Sequence, residues 1–518
     1  MDEPTTGEVT SQTIRHHSAE EYLAEHEYIV TEVSTQVREF YEQKIPYRIC
    51  HGSSNSTRPR ASANFVDISG LSHVRYVDQE DKYALVEPNV PMDALVEATL
   101  AHGLVPPVVM EFPGITAGGG FSGTCGESSS FRHGFFNENV LEVELVLGNG
   151  EVITASKAEH EDLFKGAGGA LGTLGIVTLM KLRLVEAKKY VRAKYLRVNT
   201  VSKSVQRIRS MSETTSSDYL DGIVYAKHHG VIITGDLTNK IPDGVKLQTF
   251  SNAADPWFYM HVREKTKKIS GGSVVEEYIP LAEYLFRYDR GGFWVGEQGY
   301  TYFKCIPFTR FCRWLLDDFS HTRTLYHALH SSGVASQFVV QDITVVYRNA
   351  EKLIDHISDD LSIWPLWLCP LAPSLVSSFH PVIAKEDEKD SIISEPMLSL
   401  GVWGWGPADP VEFVAKNRAL EAKLKELGGK KWLYAHTYYT EKEFWGIYDR
   451  SWYDALREKY HATSLPNVYD KVKQRQGGVG WGQALSQMWP VGGIYGMCRA
   501  LSSGDYRKHR DAKWKWHA

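Results

Sequence analysis

Hydrophobic residues recur at helical spacing in four stretches of the chain, and each stretch predicts an amphipathic helix. Residues 18–44 place apolar side chains three or four positions apart, with acidic residues between them. Residues 91–102 begin with a proline and are followed by Gly103, and proline at the start and glycine after the end are common at helix termini. Residues 304–316 and 412–427 predict two more helices in the second half of the sequence.

Other stretches alternate apolar and polar residues or form short apolar runs, which indicates strands. Residues 140–147 alternate apolar and acidic side chains, and the pair Asn149-Gly150 that follows is typical of a hairpin turn. Mixed in this way, helices and strands predict the α+β class. The predicted strands are 64–71, 83–90, 104–112, 140–147, 151–154, 176–179, 222–225 and 231–235.

The segment 111–134 is rich in glycine, serine and threonine and poor in aliphatic residues. Because glycine is costly in helices and strands, we expect a loop that contains neither. A glycine loop between buried strands lets backbone amides approach a phosphate-rich ligand, although a flexible surface loop is the alternative. Gly118, Gly120 and Gly123 form a G-x-G-x-x-G, but no helical period follows, so a Rossmann fingerprint is rejected.

Two further glycine clusters lie on either side of this segment in the sequence. The first follows a short apolar stretch and runs through residues 51–56. The second carries Gly169, Gly172 and Gly175 at a spacing of three and leads into the strand predicted at 176–179. Close helix packing through small residues is the alternative interpretation of the second cluster.

Composition restricts the class of function. The 518 residues are 43% hydrophobic and carry a formal net charge of -6, which argues against nucleic acid as the main partner. The six cysteines are scattered without C-x-x-C pairs, so we predict no metal site, no redox motif and no disulfide framework. No signal peptide and no apolar run of about 20 residues is visible, which favours a cytoplasmic protein.

The order of the three glycine clusters resembles the FAD-binding domain of the vanillyl-alcohol-oxidase superfamily, the p-cresol-methylhydroxylase-type fold. In that family the clusters that correspond to 51–56 and 111–134 wrap the FAD pyrophosphate, and the cluster that corresponds to 169–175 holds the adenine end. The resemblance also implies noncovalent FAD, because Asn55 and Phe112 stand where other members carry the linking His or Cys; His51 is the nearest other candidate for such a link. The cofactor-binding residues implied in this way are His51, Gly52, Ser53, Ser54, Asn55, Ser56, Pro113, Thr116, Gly118, Gly119, Gly123, Thr124, Glu127, Ser128, Ser129, Gly134, Gly172, Gly175, Ile176 and Val177.

A longer series of motifs, spread over residues 60–472, narrows the resemblance. It includes Gly123-Thr-x-x-Glu-Ser-Ser-Ser130, Glu277-Tyr-Ile-Pro-Leu281 and Trp364-Pro-x-Trp-Leu-Cys-Pro370. On these motifs the protein is similar to the Δ24-sterol reductase family of 24-dehydrocholesterol reductase and the Diminuto/Dwarf proteins. The resemblance implies an FAD-dependent reductase of an isolated carbon–carbon double bond in the side chain of a sterol or related isoprenoid lipid, with NADPH as transient electron donor. Animal and plant members of that family carry an N-terminal membrane anchor that this sequence does not show, and the tail beyond Lys473 does not resemble the family. These two differences leave the natural substrate open.

The architecture implied by the resemblance is a two-part FAD-binding domain plus an α+β substrate (cap) domain. The predicted boundaries are 1–45 for an N-terminal helical segment, 46–189 for the FAD-binding domain, 190–430 for the substrate domain, 431–473 for a return segment to the flavin and 474–518 for a C-terminal tail.

Reduction of an unconjugated alkene requires a placed acid, which protonates one carbon while the other is reduced. Tyr434, His436 and Tyr438 are candidates, because their spacing of two puts them on one face of a predicted strand; packed core residues are the alternative. Glu277 and Asp342 are acids in apolar segments, and a structural ion pair is the alternative for them. The expected apolar substrate pocket consists of Trp257, Phe293, Trp294, Trp364 and Trp367.

The tail interleaves basic residues with tryptophan over 507–516, which is typical of a segment that contacts an anionic membrane surface. A packed tail and a homodimer contact are the alternatives. Two other functions compete with the reductase: an FAD-dependent oxidase or dehydrogenase of an alcohol or hydroxy acid, and a sterol- or lipid-binding protein with a non-catalytic flavin. We therefore expect a small-molecule partner and, at most, peripheral contact with an intracellular membrane.

Overall fold

The computed structural model describes residues 19–52, 64–373, 379–381, 385–386, 392–393, 395–474 and 489–517. Among these residues most strands belong to two antiparallel sheets, one formed before residue 184 and one after residue 189. Helices accompany both sheets, and the α+β class is confirmed. None of the described helices combines the length and apolar character that a membrane span requires.

The N-terminal half contributes nine short strands. They are β1 (Arg48–Cys50), β2 (Phe65–Asp67), β3 (Val74–Asp78), β4 (Tyr83–Val86), β5 (Leu104–Val105), β6 (Val140–Val146), β7 (Val152–Ser156), β8 (Ile176–Arg183) and β9 (Val185–Glu186). Five of them form an antiparallel sheet in the order β3-β4-β8-β6-β7, while β1 pairs in parallel with β2 and β5 pairs with β9. The predicted strands 83–90 and 104–112 are shorter than expected, because Pro88 and the pair Pro106-Pro107 cannot donate ladder hydrogen bonds.

Five helices pack around this sheet: α1 (Ala19–Glu42), α2 (Met92–Leu100), α3 (Ala117–Ser122), α4 (Ser130–His133) and α5 (Glu161–Ala167). The helices predicted at 18–44 and 91–102 are confirmed. The predicted hairpin is confirmed as well, and its Gly150 has φ +84°. A Cβ at Gly150 would meet the Ser34 carbonyl oxygen of α1 at 2.7 Å, so both the turn and the close approach of α1 require glycine.

The C-terminal half forms an eight-stranded antiparallel sheet and a two-stranded pair. Its strands are β10 (Tyr190–Val198), β11 (Tyr219–Ala226), β12 (His229–Thr238), β13 (Val274–Pro280), β14 (Phe338–Val346), β15 (Leu366–Leu371), β16 (Lys385–Glu386), β17 (Ile392–Ile393), β18 (Met397–Trp405) and β19 (Lys430–Lys431). The large sheet has the order β13-β10-β12-β11-β15-β18-β14-β19, and β16 pairs with β17. Most of residues 382–394 lie outside the described residues.

Among the described residues, nine α-helices connect or cover these strands: α6 (Val201–Thr214), α7 (Phe258–Thr266), α8 (Leu281–Leu285), α9 (Val295–Phe303), α10 (Arg310–Leu315), α11 (Asp317–Ser320), α12 (Thr322–Ser331), α13 (Tyr347–His356) and α14 (Pro410–Glu426). The helix predicted at 412–427 is confirmed. The single helix predicted at 304–316 is wrong, because α9 ends before Lys304 (φ +56°) and Pro307 interrupts the next turn. The backbone re-enters a helix at Thr309, whose Oγ1 accepts a hydrogen bond from Cys312 N at 3.2 Å.

The two faces of the eight-stranded sheet are covered differently. Along β15 and β18, Leu366, Leu368 and Leu400 point to an outer core that includes residues of α6, α13 and α14. Trp367 and Trp403, at the alternate positions, belong to the inner core shared with the N-terminal half. This period of two therefore places an aromatic face of the sheet toward the glycine clusters.

The last helices are α15 (Glu441–Trp445), α16 (Arg450–Lys459), α17 (Val468–Val472), α18 (Val491–Ser502) and α19 (Asp505–Arg510). The basic and tryptophan-rich motif of the tail packs on the protein. Trp514 is buried against Phe286 with ring centroids 4.8 Å apart, and His509 of α19 stacks on His321 at 3.7 Å. Because Trp514 is buried, its side chain does not face outward from the tail.

Candidate cofactor and substrate cavity

A cavity of about 620 Å³ lies between the three glycine clusters and the inner face of the eight-stranded sheet. Its first side, the glycine wall, is lined by Arg48, His51, Gly52, Thr116, Gly118, Gly119, Ser122, Gly123, Leu171, Gly172, Gly175, Ile176, Val177 and Lys471. Its second side, the acid wall, is lined by Glu111, Tyr326, His330, Asp342, Trp367, Trp403, Trp432 and Tyr434. One cavity thus combines a side rich in accessible backbone with a side of aromatic and acidic side chains.

The glycine wall is centred on α3, which begins one residue before the G-x-G-x-x-G motif and covers most of it. Thr116 caps this helix, since its Oγ1 accepts a hydrogen bond from Gly119 N at 3.2 Å. Gly118 N donates to Pro88 O at 2.8 Å, and a Cβ at Gly118 would meet that oxygen at 2.9 Å. The prediction that 111–134 contains no helix is wrong, because packing against Pro88 stabilises a short helix that glycine propensity disfavours. The Rossmann fold stays rejected, because the sheet beside α3 is antiparallel throughout.

The other two glycine clusters reach the same wall. Gly52 has φ +67° and Gly172 has φ +71°, so both occupy the left-handed region that glycine adopts without strain. Gly175, Ile176 and Val177 lie on the wall where β8 begins. The predicted cofactor residues 53–56 lie outside the described residues.

Six predicted cofactor residues are not on the wall: Pro113, Thr124, Glu127, Ser128, Ser129 and Gly134. Several of them join the glycine cluster to the C-terminal half. Ser128 O accepts a hydrogen bond from Leu220 N at 2.7 Å, and the Arg287 guanidinium lies 3.6 Å from the Glu127 carboxylate. Pro113 O accepts a hydrogen bond from Arg323 at 3.1 Å. These residues hold the wall in place from behind.

Asp342 and Tyr434 form a hydrogen-bonded pair on the acid wall. Tyr434 OH donates to Asp342 Oδ2 at 2.6 Å. Asp342 Oδ1 is buried and has no hydrogen-bond partner among the described residues. In the ladder Asp342 lies opposite Gly401, where a Cβ would overlap the Trp403 indole, so glycine lets Trp403 fold over the strand. The carboxyl group therefore lies beside an apolar ring system, with one buried oxygen that no described residue binds.

Trp432 fixes the turn that carries Tyr434. Its backbone N donates to Asp342 O at 3.0 Å, and its indole Nε1 donates to Thr124 O at 2.9 Å. Thr124 belongs to the central glycine segment and has φ +51°. A single tryptophan consequently binds the backbone of Asp342 on the acid wall and that of the central glycine segment behind the glycine wall.

The strand predicted over 432–439 is wrong. Lys431 Nζ donates to Glu421 Oε1 at 2.9 Å and to His436 O at 2.7 Å, while Tyr438 N donates to the Glu421 carboxylate at 2.9 Å. Side chains thus take the backbone hydrogen bonds that a neighbouring strand would need, and the segment is irregular. As a result, Tyr434 lines the cavity, whereas the exposed His436 and the half-buried Tyr438 do not.

Burial sets the protonation of the titratable groups on the acid wall. It raises the pKa of Asp342 to about 7, against the lowering effect of the Tyr434 hydrogen bond. Burial also raises the pKa of Glu111 well above its usual value, and the charges of Glu127 and Asp342 act in the same direction. Burial lowers the pKa of His330 to about 4 and keeps its imidazole neutral. Burial therefore favours the protonated form of both carboxyl groups, and Asp342 titrates near neutral pH.

A buried charge cluster supports the aromatic part of the wall. Asp221 Oδ2 accepts hydrogen bonds from Trp367 Nε1 at 3.0 Å, from Tyr288 OH at 2.7 Å and from the Arg287 guanidinium at 3.2 Å. All four side chains are buried. Removing one partner of such a cluster leaves an uncompensated charge, so the cluster holds Trp367 in one orientation.

Of the five aromatic residues predicted to line the substrate pocket, Trp367 lies on the cavity wall. Phe293 packs behind it, with its ring centroid 4.5 Å from that of Trp403 and 5.3 Å from that of Trp367. Trp294 Nε1 donates a hydrogen bond to Trp403 O at 2.9 Å. Trp257 belongs to the inner core and Trp364 packs against the outer core. Glu277 lies away from the cavity in an ion pair with His261 at 2.7 Å and Lys265 at 2.8 Å, and these contacts lower its pKa despite burial.

Five residues of the acid wall were not among the site residues predicted from the sequence: Glu111, Tyr326, His330, Trp403 and Trp432. Glu111 stands directly before the Phe-Pro-Gly turn, where an acid in an apolar run was a usable signal. Tyr326 and His330 lie one turn apart on α12, and this spacing puts them on one helix face. Nothing in the sequence indicates that this face lines the same cavity as Asp342 and Trp403.

The glycine wall fits the diphosphate part of FAD. It offers backbone from three segments, two left-handed glycines and a helix whose close packing excludes side chains at Gly118. Arg48 and Lys471 add positive charge to the same wall. The acid wall, with its indoles and protonated carboxyl groups, fits an apolar reactant beside the flavin ring.

Comparison with known proteins agrees with this arrangement. Residues 29–156 match the family model of an FAD binding domain. The sequence is 29% identical over 470 residues to "Delta(24)-sterol reductase" of Homo sapiens, a match that covers 86% of each protein. It is 28% identical to the Arabidopsis thaliana protein of the same name, over 82% of this protein and 79% of the relative. A shorter match, 31% identical over 30% of each protein, is to "Cytokinin dehydrogenase 4" of Oryza sativa subsp. japonica.

Proposed function

We propose that this protein, a homologue of the Delta(24)-sterol reductases that carries an FAD-binding domain, reduces an isolated carbon–carbon double bond in the side chain of a sterol or related isoprenoid lipid. The observation that carries the proposal is the pair Asp342–Tyr434. A carboxyl group with a raised pKa and an unpartnered oxygen lies among tryptophans, in the cavity whose other wall suits FAD.

Bound FAD supplies the reducing equivalents, and the protein must supply a proton and exclude water. In the proposal Asp342 is the proton donor. Below about pH 7 its carboxyl is protonated, Oδ2 accepts the Tyr434 hydrogen bond and the proton rests on Oδ1, which no described residue binds. As this proton passes to an alkene carbon, the Tyr434 hydrogen bond stabilises the carboxylate that forms.

Glu111 and the aromatic residues have supporting roles in this proposal. Glu111, the second carboxyl group with a raised pKa on the acid wall, returns a proton to Asp342 after turnover. Trp367, Trp403 and Tyr326 form the apolar surface that holds the lipid side chain and excludes water. Glu277, His436 and Tyr438 lie outside the cavity and have no part in the proposed chemistry.

We propose noncovalent FAD and NADPH as the electron donor. Phe112 lines the cavity at the place where relatives with a cysteine link would carry sulfur, and Asn55 lies outside the described residues. His51, Cys50 and Cys125 line the cavity with side chains able to form a covalent link, so acid precipitation that leaves flavin in the supernatant supports the noncovalent form. Parallel steady-state lines with NADPH and alkene would support alternating half-reactions, and intersecting lines would contradict them.

The proposed division of labour follows the sequence boundaries. Residues 46–189 bind FAD and residues 190–430 hold the substrate. The return segment, 431–473, brings Tyr434 to the cavity. Tyr453 OH of this segment donates to Thr173 Oγ1 of the third glycine cluster at 2.7 Å, a contact that supports its assignment to the flavin.

A second candidate function is an FAD-dependent dehydrogenase or oxidase of an alcohol or hydroxy acid. The match to "Cytokinin dehydrogenase 4" favours it, because that relative shares part of the sequence and its name states a dehydrogenase. Its raised pKa lets Asp342 keep a proton to a higher pH than an exposed aspartate, which suits proton donation, so we rank the reductase first.

One anaerobic experiment separates these functions. The purified protein is mixed with NADPH, bleaching of the flavin absorbance is followed, and candidate sterols with an alkene in the side chain are then added. Bleaching by NADPH and recolouring by the alkene are expected of the reductase. Bleaching by alcohols or hydroxy acids instead would establish the dehydrogenase, and a colourless protein that binds sterol would establish a lipid-binding role.

The substrate also bears on partners. A sterol is a membrane lipid, so the proposal includes peripheral contact with an intracellular membrane. A homodimer is the other arrangement considered for the tail, and sedimentation velocity of the full-length protein at increasing concentration decides between monomer and dimer.

A further inference from the structure

Helix α18 presents its large apolar residues outward and its small residues inward. Gly492, Gly496 and Ala500 are buried at a spacing of four. A Cβ at Gly496 would overlap the carbonyl of Ala328 in α12, so the two helix backbones approach closely. This packing leaves the bulky side chains of α18 on the opposite face, which is the reverse of an ordinary surface helix.

The outward face forms a continuous apolar stripe. Val491, Ile494, Tyr495 and Leu501 recur at helical spacing and are 44–50% exposed. Trp489, just before the helix, is 54% exposed. Within the described residues nothing covers this stripe, and a stripe of this kind marks an interaction surface.

A second helix extends the stripe. In α10, Phe311, Trp314 and Leu315 are 52–65% exposed. The two helices are joined through α9, since Trp489 Nε1 donates to Tyr302 O at 2.8 Å and Tyr300 OH donates to Cys312 O at 3.3 Å. We call α10, α18 and Trp489 together the docking surface.

The segments that carry the docking surface contain charges of one sign. Residues 300–316 and 489–504 contain no aspartate or glutamate, whereas they contain Lys304, Arg310, Arg313 and Arg499. Lys304 lies 5.8 Å from the Trp489 ring centroid. Tryptophan and tyrosine beside basic residues are typical of helices that lie in the interface of an anionic bilayer. A symmetric contact with a second copy would instead bring like charges together.

We infer that the docking surface inserts into one leaflet of an anionic lipid bilayer and holds the protein on the membrane as a monotopic protein. The surface lies close to the acid wall, because α18 packs on α12 and α12 carries Tyr326 and His330 of that wall. A lipid leaving the bilayer here would reach the cavity across one helix layer. This route rests on the proposed function, whereas the docking itself does not.

The test is vesicle flotation of the full-length, FAD-loaded protein with phosphatidylcholine vesicles and with phosphatidylcholine–phosphatidylserine vesicles. Binding to the anionic vesicles is expected, and it should weaken at high salt. The double substitution Ile494→Glu with Leu501→Glu should lower the partition coefficient at least about tenfold, because two apolar side chains no longer insert. Phe311→Glu with Leu315→Glu should act in the same direction.

A matched control uses the exposed Val411 of α14, which is 78% exposed and lies outside the docking surface. Val411→Glu should leave vesicle binding unchanged. Absence of binding by the unsubstituted protein, or equal binding by all variants, would overturn the inference. So would a dimer in sedimentation velocity that Ile494→Glu with Leu501→Glu dissociates.

Turnover of sterol delivered by cyclodextrin separates this inference from the proposed function. The docking variants should keep unchanged turnover in that assay while losing turnover of vesicle-borne sterol. If no preparation reduces sterol but flotation behaves as expected, the docking surface stands and the proposed reaction fails.

Discussion

The two walls of the cavity solve the problem of holding a ligand in opposite ways. The glycine wall uses backbone from three segments, and its key residues matter for what they lack: a Cβ at Gly118 would meet Pro88 O at 2.9 Å. The acid wall uses side chains from α12, β14, β15, β18 and the 432–434 turn, and its key residues matter for their protons. The glycine wall therefore depends on shape, and the acid wall depends on charge.

This difference decides how each wall should respond to substitution. Adding a small side chain at the glycine wall should affect retention of the flavin and leave the proton chemistry intact. Replacing one oxygen at the acid wall with a nitrogen should affect the chemistry and leave the flavin bound. The following predictions test this separation.

The largest effect is expected for Asp342→Asn. The amide has nearly the same shape but cannot deliver the carboxyl proton, and general acids contribute about 10²–10⁴-fold to rate. Turnover of the alkene should fall by that factor, while FAD absorbance and bleaching by NADPH remain. The measurement is stopped-flow recolouring of the reduced flavin by substrate, and turnover near that of the unsubstituted protein would remove Asp342 as the donor.

The next effect is on the other wall. Gly118→Val should lower FAD retention more than about tenfold, because Val needs space that Pro88 occupies and overpacking costs about 1–3 kcal/mol. Retention is measured as the ratio of flavin to protein absorbance after desalting. Gly299→Ala is the matched control, since a Cβ there meets nothing within 4 Å. Equal flavin retention in both variants would contradict the shape argument.

The pH dependence of turnover tests whether the acid wall acts through the proton of Asp342. Asp342 must be protonated to act, and its pKa is raised to about 7, so turnover should fall as pH rises above about 7, about tenfold per pH unit. Because the folded state holds this proton more tightly than the unfolded state, the contribution of this group to folding is full below about pH 4 and is lost as pH rises from about 4 to about 7. A rate profile that is flat from pH 6 to about 9 would contradict the assignment.

A smaller effect is expected for Tyr434→Phe. The Tyr434 hydrogen bond lowers the pKa of Asp342, so its removal should raise that pKa further and move the falling limb of the pH–rate profile to higher pH. Turnover at pH 7 should change less than about tenfold, since the proton itself is still present. A limb that does not move would show that the tyrosine does not act through Asp342.

The smallest effect on turnover is expected for Glu277→Gln. Glu277 pairs with the buried His261 outside the cavity, so the substitution should lower the free energy of unfolding by about 1–3 kcal/mol and leave turnover unchanged. Urea unfolding measures the first quantity and the recolouring assay the second. Lost turnover in a folded, flavin-loaded variant would return Glu277 to the catalytic candidates.

The same contrast explains how far the sequence could be interpreted. Glycine clusters, the hairpin at Asn149-Gly150 and helices such as α1 and α14 follow from local composition and periodicity, and they could be predicted. The course of 432–439 could not, because Lys431 and Glu421 take its backbone hydrogen bonds and thereby put Tyr434 and Tyr438 in different environments. Likewise Glu111 and Tyr326 meet Asp342 only through packing between distant segments.

Trp432 limits how this fold can be recombined with that of a relative. Its backbone N binds Asp342 O and its indole binds Thr124 O. If the acid wall alone is transferred into a relative, Trp432 moves with it, but the residue that binds its indole is then the relative's own. A working chimera should inherit positions 124, 342 and 432 as one block, and specificity should be engineered around that block.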